Sequence, residues 1–333
     1  MLSVVCPVYN EERHIDGCIE SVLSQDYPKS DLEVIFVDGG SEDKTPAIIH
    51  GYCEKFPFIR LLHNPRRIAP AALNIGVEAA CGDIIMRIDA HAKYPRDYFS
   101  VLTAKLAEHD AWNVGGVCRT LPADNSHVCR AIAFAMSSPF GMGNSLFRIG
   151  AQKEMKADTV PFGCFPRKVF DEVGLFDEEL VRNQDDEFNG RIIQKGGSIW
   201  LIPDVVVDYY ARKSIPKTAA MFYQYGLFKP LVNKKLGKPA TVRQFFPPLF
   251  VAGLLAGAVL SIFSKASACL LLSVMVLYFL MAAVFSMKKT RHIKEILLMC
   301  LVFFVIHAGY GVGYWMGIFK LMSNKRISAE SNH

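Results

Sequence analysis

The sequence lacks several features that would assign it to a common class of protein. No two cysteines are separated by two residues, so the spacing typical of structural zinc sites is missing, and nine scattered cysteines in 333 residues do not make a disulfide scaffold. No internal repeat or low-complexity stretch occurs. The apolar run at residues 2–8 has no basic segment before it and acids directly after it, so we expect no signal peptide. Reduced thiols in a cytosolic compartment fit this pattern.

Acidic residues almost disappear after residue 211. Residues 1–211 hold 21 Lys and Arg against 30 Asp and Glu, a net charge of −9, whereas residues 212–333 hold 16 against 2, a net charge of +14. A uniformly basic protein would suggest nucleic acid as a partner. An acidic body with a basic, apolar tail instead indicates a membrane. We therefore expect anionic membrane lipids, and no nucleic acid, among the partners.

Three segments of the tail contain no charged residue: 244–264, 266–287 and 296–319. Each is long enough for a membrane helix, which needs about 20 residues. The predicted helices are 245–264, 267–287 and 296–319. Eight basic residues precede the first segment and four separate the second from the third, whereas Lys265 alone separates the first two. Because basic loops stay in the cytoplasm, we expect a multi-pass protein of the cell inner membrane with its body on the cytoplasmic side.

The charges after the third segment conflict with full crossing. Lys320, Lys325 and Arg326 would lie outside the cell if residues 296–319 span the bilayer. Two alternatives stay open: three charges are tolerated outside, or the segment is re-entrant or lies in the membrane interface. We favour three spans.

The body alternates between apolar runs and amphipathic segments. The predicted strands are Leu2–Val8, Leu32–Val37, Ile59–Leu62, Ile84–Ile88 and Trp112–Val117. The predicted helices are one capped by Asn10, Thr45–Glu54, Ala69–Ala80 and Pro95–His109. This order predicts an α/β fold with a mostly parallel sheet and helices on both faces. Residues 120–160 suggest loops with one helix near 126–136.

Polar side chains follow three predicted strands, at the carboxyl ends where such sheets bind ligands. Asn10 and Asp38 could hold a polar ring and a ribose, or they could be turn formers and helix starts. Asp89 and His91 could bind Mn²⁺ or Mg²⁺ if diphosphate oxygens and water fill the other positions. The alternative is an Asp that closes a turn beside an exposed His.

A further acidic cluster, Asn183-Gln184-Asp185-Asp186-Glu187, opens a helix that we expect to start near Asp185. Acids in a first turn complement the helix dipole, which is the purely structural explanation. The same dipole would hold Asp185 ionised and ready to accept a proton.

Together these segments resemble the family 2 glycosyltransferases. Val5–Glu12 looks like the opening motif, Val37–Thr45 like the nucleotide-binding turn, and Asn64–Asp83 like the stretch that follows. Asp89-Ala90-His91 is similar to the Asp-x-Asp metal motif, and Asn183-Gln184-Asp185 to the Glu-Asp base motif. With the multi-span tail, the pattern looks most like membrane-bound exopolysaccharide glycosyltransferases of the succinoglycan type.

The resemblance implies a GT-A fold, that of nucleotide-diphospho-sugar transferases, at residues 1–230. A basic juxtamembrane segment at 231–244, a membrane domain at 245–320 and a tail at 321–333 would follow. The implied reaction is inverting, dependent on Mn²⁺ or Mg²⁺, and part of exopolysaccharide or cell-surface polysaccharide synthesis. The implied donor is a nucleotide-diphosphate sugar, taken to be UDP-linked, and the implied acceptor is a lipid-linked saccharide.

The resemblance also assigns roles to residues. Asp185 is expected to be the catalytic base, with Asp186 as the alternative, and Asp89 with His91 to hold the metal. The residues expected to bind the nucleotide sugar are Pro7, Tyr9, Glu11, Asp38, Asn64 and Asp89.

Three departures from the family pattern shape these expectations. Gly39 stands where Asp or Asn is frequent, so base recognition would rest on Asp38. His91 replaces the second carboxylate of the metal motif. The Gln-x-x-Arg-Trp motif of processive synthases is replaced by Gln224-Tyr225-Gly226-x-x-Lys229, which predicts one sugar per event. Transfer to polyisoprenyl phosphate itself, and a catalytically silent membrane scaffold, are the alternative functions.

Overall fold

The structure, a computed structural model, describes residues 1–323 and residue 327. Lys325, Arg326 and the rest of the predicted tail beyond residue 323, apart from residue 327, lie outside the described residues. The chain forms two compact units. The first contains residues 1–119 and 150–209, and the second contains residues 120–149 and, among the described residues, 210–323 and 327.

The first unit is built on a nine-stranded sheet. Its strands are β1 (Leu2–Val8), β2 (Leu32–Asp38), β3 (Ile59–His63), β4 (Ile84–Arg87), β5 (Ala92–Lys93), β6 (Asn113–Leu121), β7 (Met155–Lys156), β8 (Cys164–Pro166) and β9 (Ile199–Tyr210). The strands lie in the order β3-β2-β1-β4-β8-β6-β9-β5, and β7 pairs with β9.

The expectation of a mostly parallel sheet holds for β1 to β4 and needs correction beyond them. β1 pairs in parallel with β2 and β4, and β2 with β3. The pairs β4/β8, β6/β8, β5/β9 and β7/β9 are antiparallel. The prediction rested on strands separated by helices, and that alternation is what parallel crossovers require. β5, β7 and β8 have two or three residues each, too few to show a hydrophobic period.

The α-helices of the described residues, in order, are α1 (Ile15–Leu23), α2 (Thr45–Cys53), α3 (Ala69–Ala79), α4 (Tyr98–Glu108), α5 (His127–Ser137), α6 (Pro139–Met142), α7 (Leu146–Ile149), α8 (Lys168–Val173), α9 (Gln184–Gln194), α10 (Ile215–Leu236), α11 (Phe246–Phe263), α12 (Lys265–Met287) and α13 (Ile293–Met322). The predicted helices after β2, after β3 and before β6, and the one near 126–136, are present within a few residues.

The first helix starts later than predicted. Asn10 does not cap it, because Asn10 adopts a left-handed conformation with φ 54° and α1 begins only at Ile15. Its side chain serves another loop instead, since Oδ1 accepts a hydrogen bond from the Glu42 N–H at 2.9 Å. Asparagine tolerates this conformation better than most residues do.

The second unit contains the apolar helices. α11, α12 and α13 are long and apolar enough to cross a membrane. α6 and α7 lie in the stretch predicted as loops, and helices of four residues are too short to show a hydrophobic period. The proposed domain boundary at residue 230 falls inside α10.

Candidate active site

The carboxyl ends of β1, β2 and β4 meet at one edge of the sheet in the first unit. Val8, the last residue of β1, pairs with Asp38, the last residue of β2. Val5 of β1 pairs with Arg87, the last residue of β4. The register therefore brings together the segments that follow these strands, which contain most of the predicted site residues.

Hydrogen bonds join the loops after β1 and β2 into one structure. The Asn10 N–H donates to Ser41 Oγ at 2.8 Å, and the Glu11 N–H donates to Thr45 Oγ1 at 2.8 Å. Pro7 lies within β1, next to these loops. The predicted base-binding and ribose-binding segments therefore form a single cradle.

Asp38 closes the turn that follows β2. Its side chain is buried, and its carboxylate accepts hydrogen bonds from the Gly40 N–H at 3.0 Å and from the Ser41 hydroxyl at 2.6 Å. The Ser41 N–H also donates to this carboxylate, at 3.1 Å to Oδ2 and 3.3 Å to Oδ1, so the turn itself uses most of its roughly four acceptor positions. The structure thus shows the turn-forming role, and nucleotide binding stays a prediction for Asp38.

Gly39 lies beside Tyr9 and Arg67, and the space around it does not explain its departure from the family pattern. A Cβ at this position would lie 3.4 Å from the Tyr9 ring and 3.7 Å from Arg67 Cα. Gly40 adopts φ 78°, which favours glycine, and its Cβ would lie 3.2 Å from Arg67 Nε. Arg67 therefore covers the nucleotide-binding turn with a positive charge, a feature that sequence reasoning missed.

Asn64 holds the loop that carries Arg67. Its side chain is 1% exposed, its Nδ2 donates to the Ile68 carbonyl at 3.0 Å, and its Oδ1 accepts from the Arg66 N–H at 3.0 Å. Both ends of the amide are used within the loop. A direct contact from Asn64 to a nucleotide sugar stays a prediction, and its observed contacts position the loop.

Asp89 lies just beyond β4 and is paired with Arg87. Arg87 donates to Asp89 Oδ1 from Nη2 at 3.1 Å and from Nε at 3.3 Å. Burial acts to lower the pKa of Arg87, but the charges of Asp89 and Asp185 outweigh it and raise the pKa. The Tyr94 hydroxyl accepts from the Asp89 N–H at 2.7 Å, which fixes the backbone. Sequence reasoning did not predict this pairing.

His91 has a different partner from Asp89. Its Nδ1 lies 3.2 Å from Glu11 Oε1, and its ring meets the Tyr209 ring edge-on at 6.0 Å between centroids. The pairing of Ala92 with Tyr209 sets this position. The donor atoms of Glu11, Asp89 and His91 do not all lie within 4.8 Å of one another, so the structure does not bring them together as a preformed metal site. A carboxylate and an imidazole suit Mn²⁺ when diphosphate oxygens and water complete the coordination, and metal binding by Asp89 and His91 stays a prediction.

Among the described residues, Glu108, His109 and Glu154 form a cluster with metal-like spacing, their donor atoms lying within 4.8 Å of one another. The Lys105 ammonium already occupies this cluster, at 2.8 Å from Glu108 and 2.8 Å from Glu154. His109 stacks on Trp200, at the opposite end of β9 from Tyr209. This cluster is therefore an ion-pair network remote from Asp89.

The first turn of α9 carries Asp185 and Asp186, close to where the sequence placed the helix start. The Asp186 N–H donates to Asp185 Oδ1 at 3.0 Å. One turn on, Phe188 stacks on Phe176 with 4.4 Å between centroids, which anchors the helix. The charges of Asp89 and Asp185 both act on Arg87, so Asp185 belongs to the same electrostatic environment as Asp89. The edge of the sheet thus combines a cradle of backbone amides, a candidate metal ligand and a carboxylate able to accept a proton.

Comparison with known proteins agrees with this arrangement. The sequence profile of "Glycosyl transferase family 2" matches residues 3–174. The chain is 28% identical over 327 residues to a dolichyl N-acetyl-α-D-glucosaminyl phosphate 3-β-D-2,3-diacetamido-2,3-dideoxy-β-D-glucuronosyltransferase of Methanococcus voltae, covering 96% of this chain and 97% of the relative. It is 31% identical over 261 residues to the succinoglycan biosynthesis protein ExoA of Rhizobium meliloti, covering 78% of each.

Solved structures share the fold. The mannosyltransferase PcManGT from Pyrobaculum calidifontis, in complex with GDP-Man and Mn²⁺, superposes with a TM-score of 0.62 at 21% identity, covering 96% of this chain and 87% of that one. TarS 1–349 of S. aureus in complex with UDP gives a TM-score of 0.52 at 15% identity, covering 99% of this chain and 94% of that one. The fold is the GT-A fold that the sequence predicted, followed by apolar helices. With its profile match and its relatives, the chain belongs to glycosyl transferase family 2.

Proposed function

We propose that this glycosyltransferase moves one sugar per event from a UDP-linked donor to a lipid-linked saccharide, with inversion, at the cytoplasmic face of the inner membrane. The product would enter exopolysaccharide or cell-surface polysaccharide synthesis. One observation carries the proposal: Arg87 at the end of β4 is hydrogen-bonded to Asp89, and the charge of Asp185 acts on the same guanidinium. This supports a single site with a donor-side carboxylate and a proton acceptor.

The donor side of the reaction must accept a leaving diphosphate. Asp89 and His91 would hold Mn²⁺ or Mg²⁺, which when bound neutralises the negative charge of the departing nucleoside diphosphate. Asp38 and the backbone of residues 7–11 would hold the base and ribose. The positive charge of Arg67, beside Gly40, suits the same diphosphate.

The acceptor side needs a base. Asp185 would take the proton of the acceptor hydroxyl as its oxygen bonds to the anomeric carbon. The bond from that carbon to the diphosphate oxygen breaks on the opposite face, and its electron pair leaves with the nucleotide. Attack opposite the leaving group inverts the anomeric centre. The charge of Asp185 acts on Arg87, so a cation lies near the proposed base.

The substrate classes are supported by the relatives. The Methanococcus voltae enzyme is named for a dolichyl-linked sugar acceptor, and the Rhizobium meliloti protein for succinoglycan biosynthesis. PcManGT was solved with GDP-Man and Mn²⁺, and TarS 1–349 with UDP-GlcNAc. These names favour a nucleotide-sugar donor and a lipid-linked acceptor for this chain as well.

The test is sugar transfer by purified membranes supplied with a panel of nucleotide sugars, with and without Mn²⁺. The acceptors are polyisoprenyl phosphate and a polyisoprenyl-diphosphate saccharide. We expect transfer of a single sugar to the saccharide, a loss of about 10²–10⁴-fold in Asp185→Asn, and a smaller loss in the matched variant Asp186→Asn.

Other outcomes would select other functions. Transfer to polyisoprenyl phosphate alone would identify a lipid-charging enzyme, and no transfer from any donor would identify a silent scaffold. Full activity in Asp185→Asn would remove the proposed base.

A further inference from the structure

The second half of α13 packs along α10, and the two helices run in the same direction. A Cβ on Gly309 would lie 3.2 Å from the Ala219 carbonyl oxygen, and one on Gly317 would collide with the Leu227 carbonyl oxygen. The number of the contacted residue on α10 increases with the number of the glycine on α13, so the two helices run parallel. Such close contact between backbones is possible because these positions are glycine. The two segments therefore lie at the same depth relative to a membrane.

α10 is not built to enter a bilayer. It carries Lys217, Lys229, Lys234 and Lys235 together with a buried Gln224. Among the described helices it is not one of those apolar enough to cross a membrane. Each lysine at the bilayer centre costs about 2.5–3.5 kcal/mol or more. If residues 309–317 lay in the outer half of the bilayer, α10 would have to carry its lysines there too.

α13 meets only the beginning of α11. Trp315 Nε1 donates to the Pro248 carbonyl at 2.8 Å, and a Cβ on Gly311 would collide with the Pro247 carbonyl oxygen. Farther along α11, no described atom lies within 4 Å of a Cβ built on Gly253. The start of α11 follows the basic segment and is its cytoplasmic end. Trp315 therefore lies near the cytoplasmic end of the membrane helices.

If α13 crossed the whole bilayer, Trp315 would not lie near the cytoplasmic end of the membrane helices. Trp315 comes 22 residues after Ile293, the first residue of α13, which corresponds to about 33 Å of helix. That length matches the hydrocarbon thickness of about 30 Å, so a spanning α13 would carry Trp315 to the outer face. The contact with Pro248 opposes this position. The contacts instead bring the C-terminal part of α13 back to the cytoplasmic side, where the helix began.

α13 also differs from α11 and α12 in its exposure. In its most apolar stretch 44% of the residues are buried, against 11% in α11 and 6% in α12. Its exposed residues are apolar and recur at helical spacing on one face: Leu297, Leu301, Val312, Phe319 and Met322. A helix with one face packed on protein and one apolar stripe is suited to lie in a membrane interface.

We propose that α13 docks by this apolar stripe on the acyl chains of the cytoplasmic leaflet and does not cross the bilayer. α11 and α12 then form a two-pass hairpin. Lys288, Lys289 and Lys320 all face the anionic headgroups of one leaflet, which attract them. Lys320, which conflicted with three spans, now obeys the positive-inside rule. The proposal rests on the cytoplasmic orientation in the proposed function and is independent of the sugar-transfer chemistry.

The test is the sidedness of the end of α13 in the full-length protein. Ser323→Cys is made in a chain whose accessible cysteines Cys53, Cys81 and Cys269 are replaced by serine. Right-side-out and inside-out vesicles are treated with a membrane-impermeant maleimide. We expect at least tenfold more labelling of Ser323→Cys in inside-out vesicles. The matched control Lys265→Cys, at the outer end of the hairpin, should show the opposite preference.

Labelling of Ser323→Cys from the outside would overturn the proposal and restore three spans. Protection from both sides, with labelling only after detergent is added, would also contradict it, because a helix end in the interface is accessible to water. Labelling requires no catalysis, so this result and the transfer assay can fail separately.

Discussion

The guanidinium of Arg87 lies 3.1 Å from Asp89 Oδ1, and the charge of Asp185 acts on the same group. Arg87 is thus a cation common to the carboxylate proposed for the donor side and the one proposed for the acceptor side. The donor and acceptor halves of the proposed reaction are thereby electrostatically linked.

Replacing Arg87 by glutamine should expose this linkage. We expect Arg87→Gln to lower the rate of transfer by about 10²-fold, in the range found for single preorganised charges. Arg60→Gln, whose guanidinium pairs with Glu33, serves as the control and should keep its transfer rate. An unchanged rate in Arg87→Gln would contradict the linkage.

Replacing His91 by aspartate should strengthen metal binding. The variant restores the two-carboxylate pattern of the family motif, and carboxylates suit Mn²⁺ and Mg²⁺ better than imidazole does. We expect the Mn²⁺ concentration for half-maximal transfer to fall about tenfold in His91→Asp and to rise in His91→Ala. His50→Ala, an exposed histidine on α2, should leave it unchanged. Equal Mn²⁺ dependence in all three variants would show that His91 holds no metal.

The part of the fold built from local patterns could be predicted from the sequence. β1 to β4 are continuous apolar runs separated by amphipathic helices, and that order fixes parallel pairing. The convergence of the segments after β1 and β2 followed from the same rule, as the pairing of Val8 with Asp38 shows. The predicted membrane segments were found within a few residues, because length and apolar composition alone define them.

The choice of partners for polar side chains could not be predicted. Arg87 and Asp185 are far apart in the chain, and no spacing indicates that one acts on the other. Asn64 looked like a ligand-binding residue, but its amide hydrogen-bonds within its own loop. Mean hydropathy likewise did not distinguish α13 from α11 and α12. The position of α13 depends instead on glycine contacts with α10. Such contacts form only in the folded chain.

Glu33 should make the stability of the first unit depend on acid pH. Burial acts to raise the pKa of this carboxyl, but hydrogen bonds from Ser3, the Cys81 N–H and Arg60 outweigh it and lower the pKa. A lowered pKa means that the stabilisation is complete above the ordinary value of about 4.3 and is lost as the pH falls through the folded-state value. Glu33→Gln should therefore cost about 2 kcal/mol at pH 7.

Thermal unfolding of the solubilised protein would measure this cost. The difference between wild type and Glu33→Gln should shrink as the pH is lowered from 5 to about 3, where the protonated carboxyl resembles the amide. Glu20→Gln, an exposed position on α1, should show no such trend. A difference that stays constant with pH would show that lost packing, and not charge, causes the destabilisation.

Gly313 should be intolerant of any larger residue if α10 and α13 pack as observed. A Cβ at Gly313 would collide with the Tyr223 carbonyl oxygen, which is backbone and cannot rotate away. Gly313→Leu should therefore cost about 3 kcal/mol and lower the Tm by roughly 5–10 °C. Gly253→Leu is the matched control, because its Cβ would meet no described atom within 4 Å and leucine favours a helix.

The Tm of Gly253→Leu should equal or exceed that of the wild type. Equal melting of both variants would mean that α13 is free of α10, which would leave the last segment able to cross the membrane alone. A selective loss in Gly313→Leu would instead tie the far half of α13 to a helix that carries four lysines. Because that helix cannot enter the hydrocarbon core at low cost, the same result would hold α13 at the membrane surface.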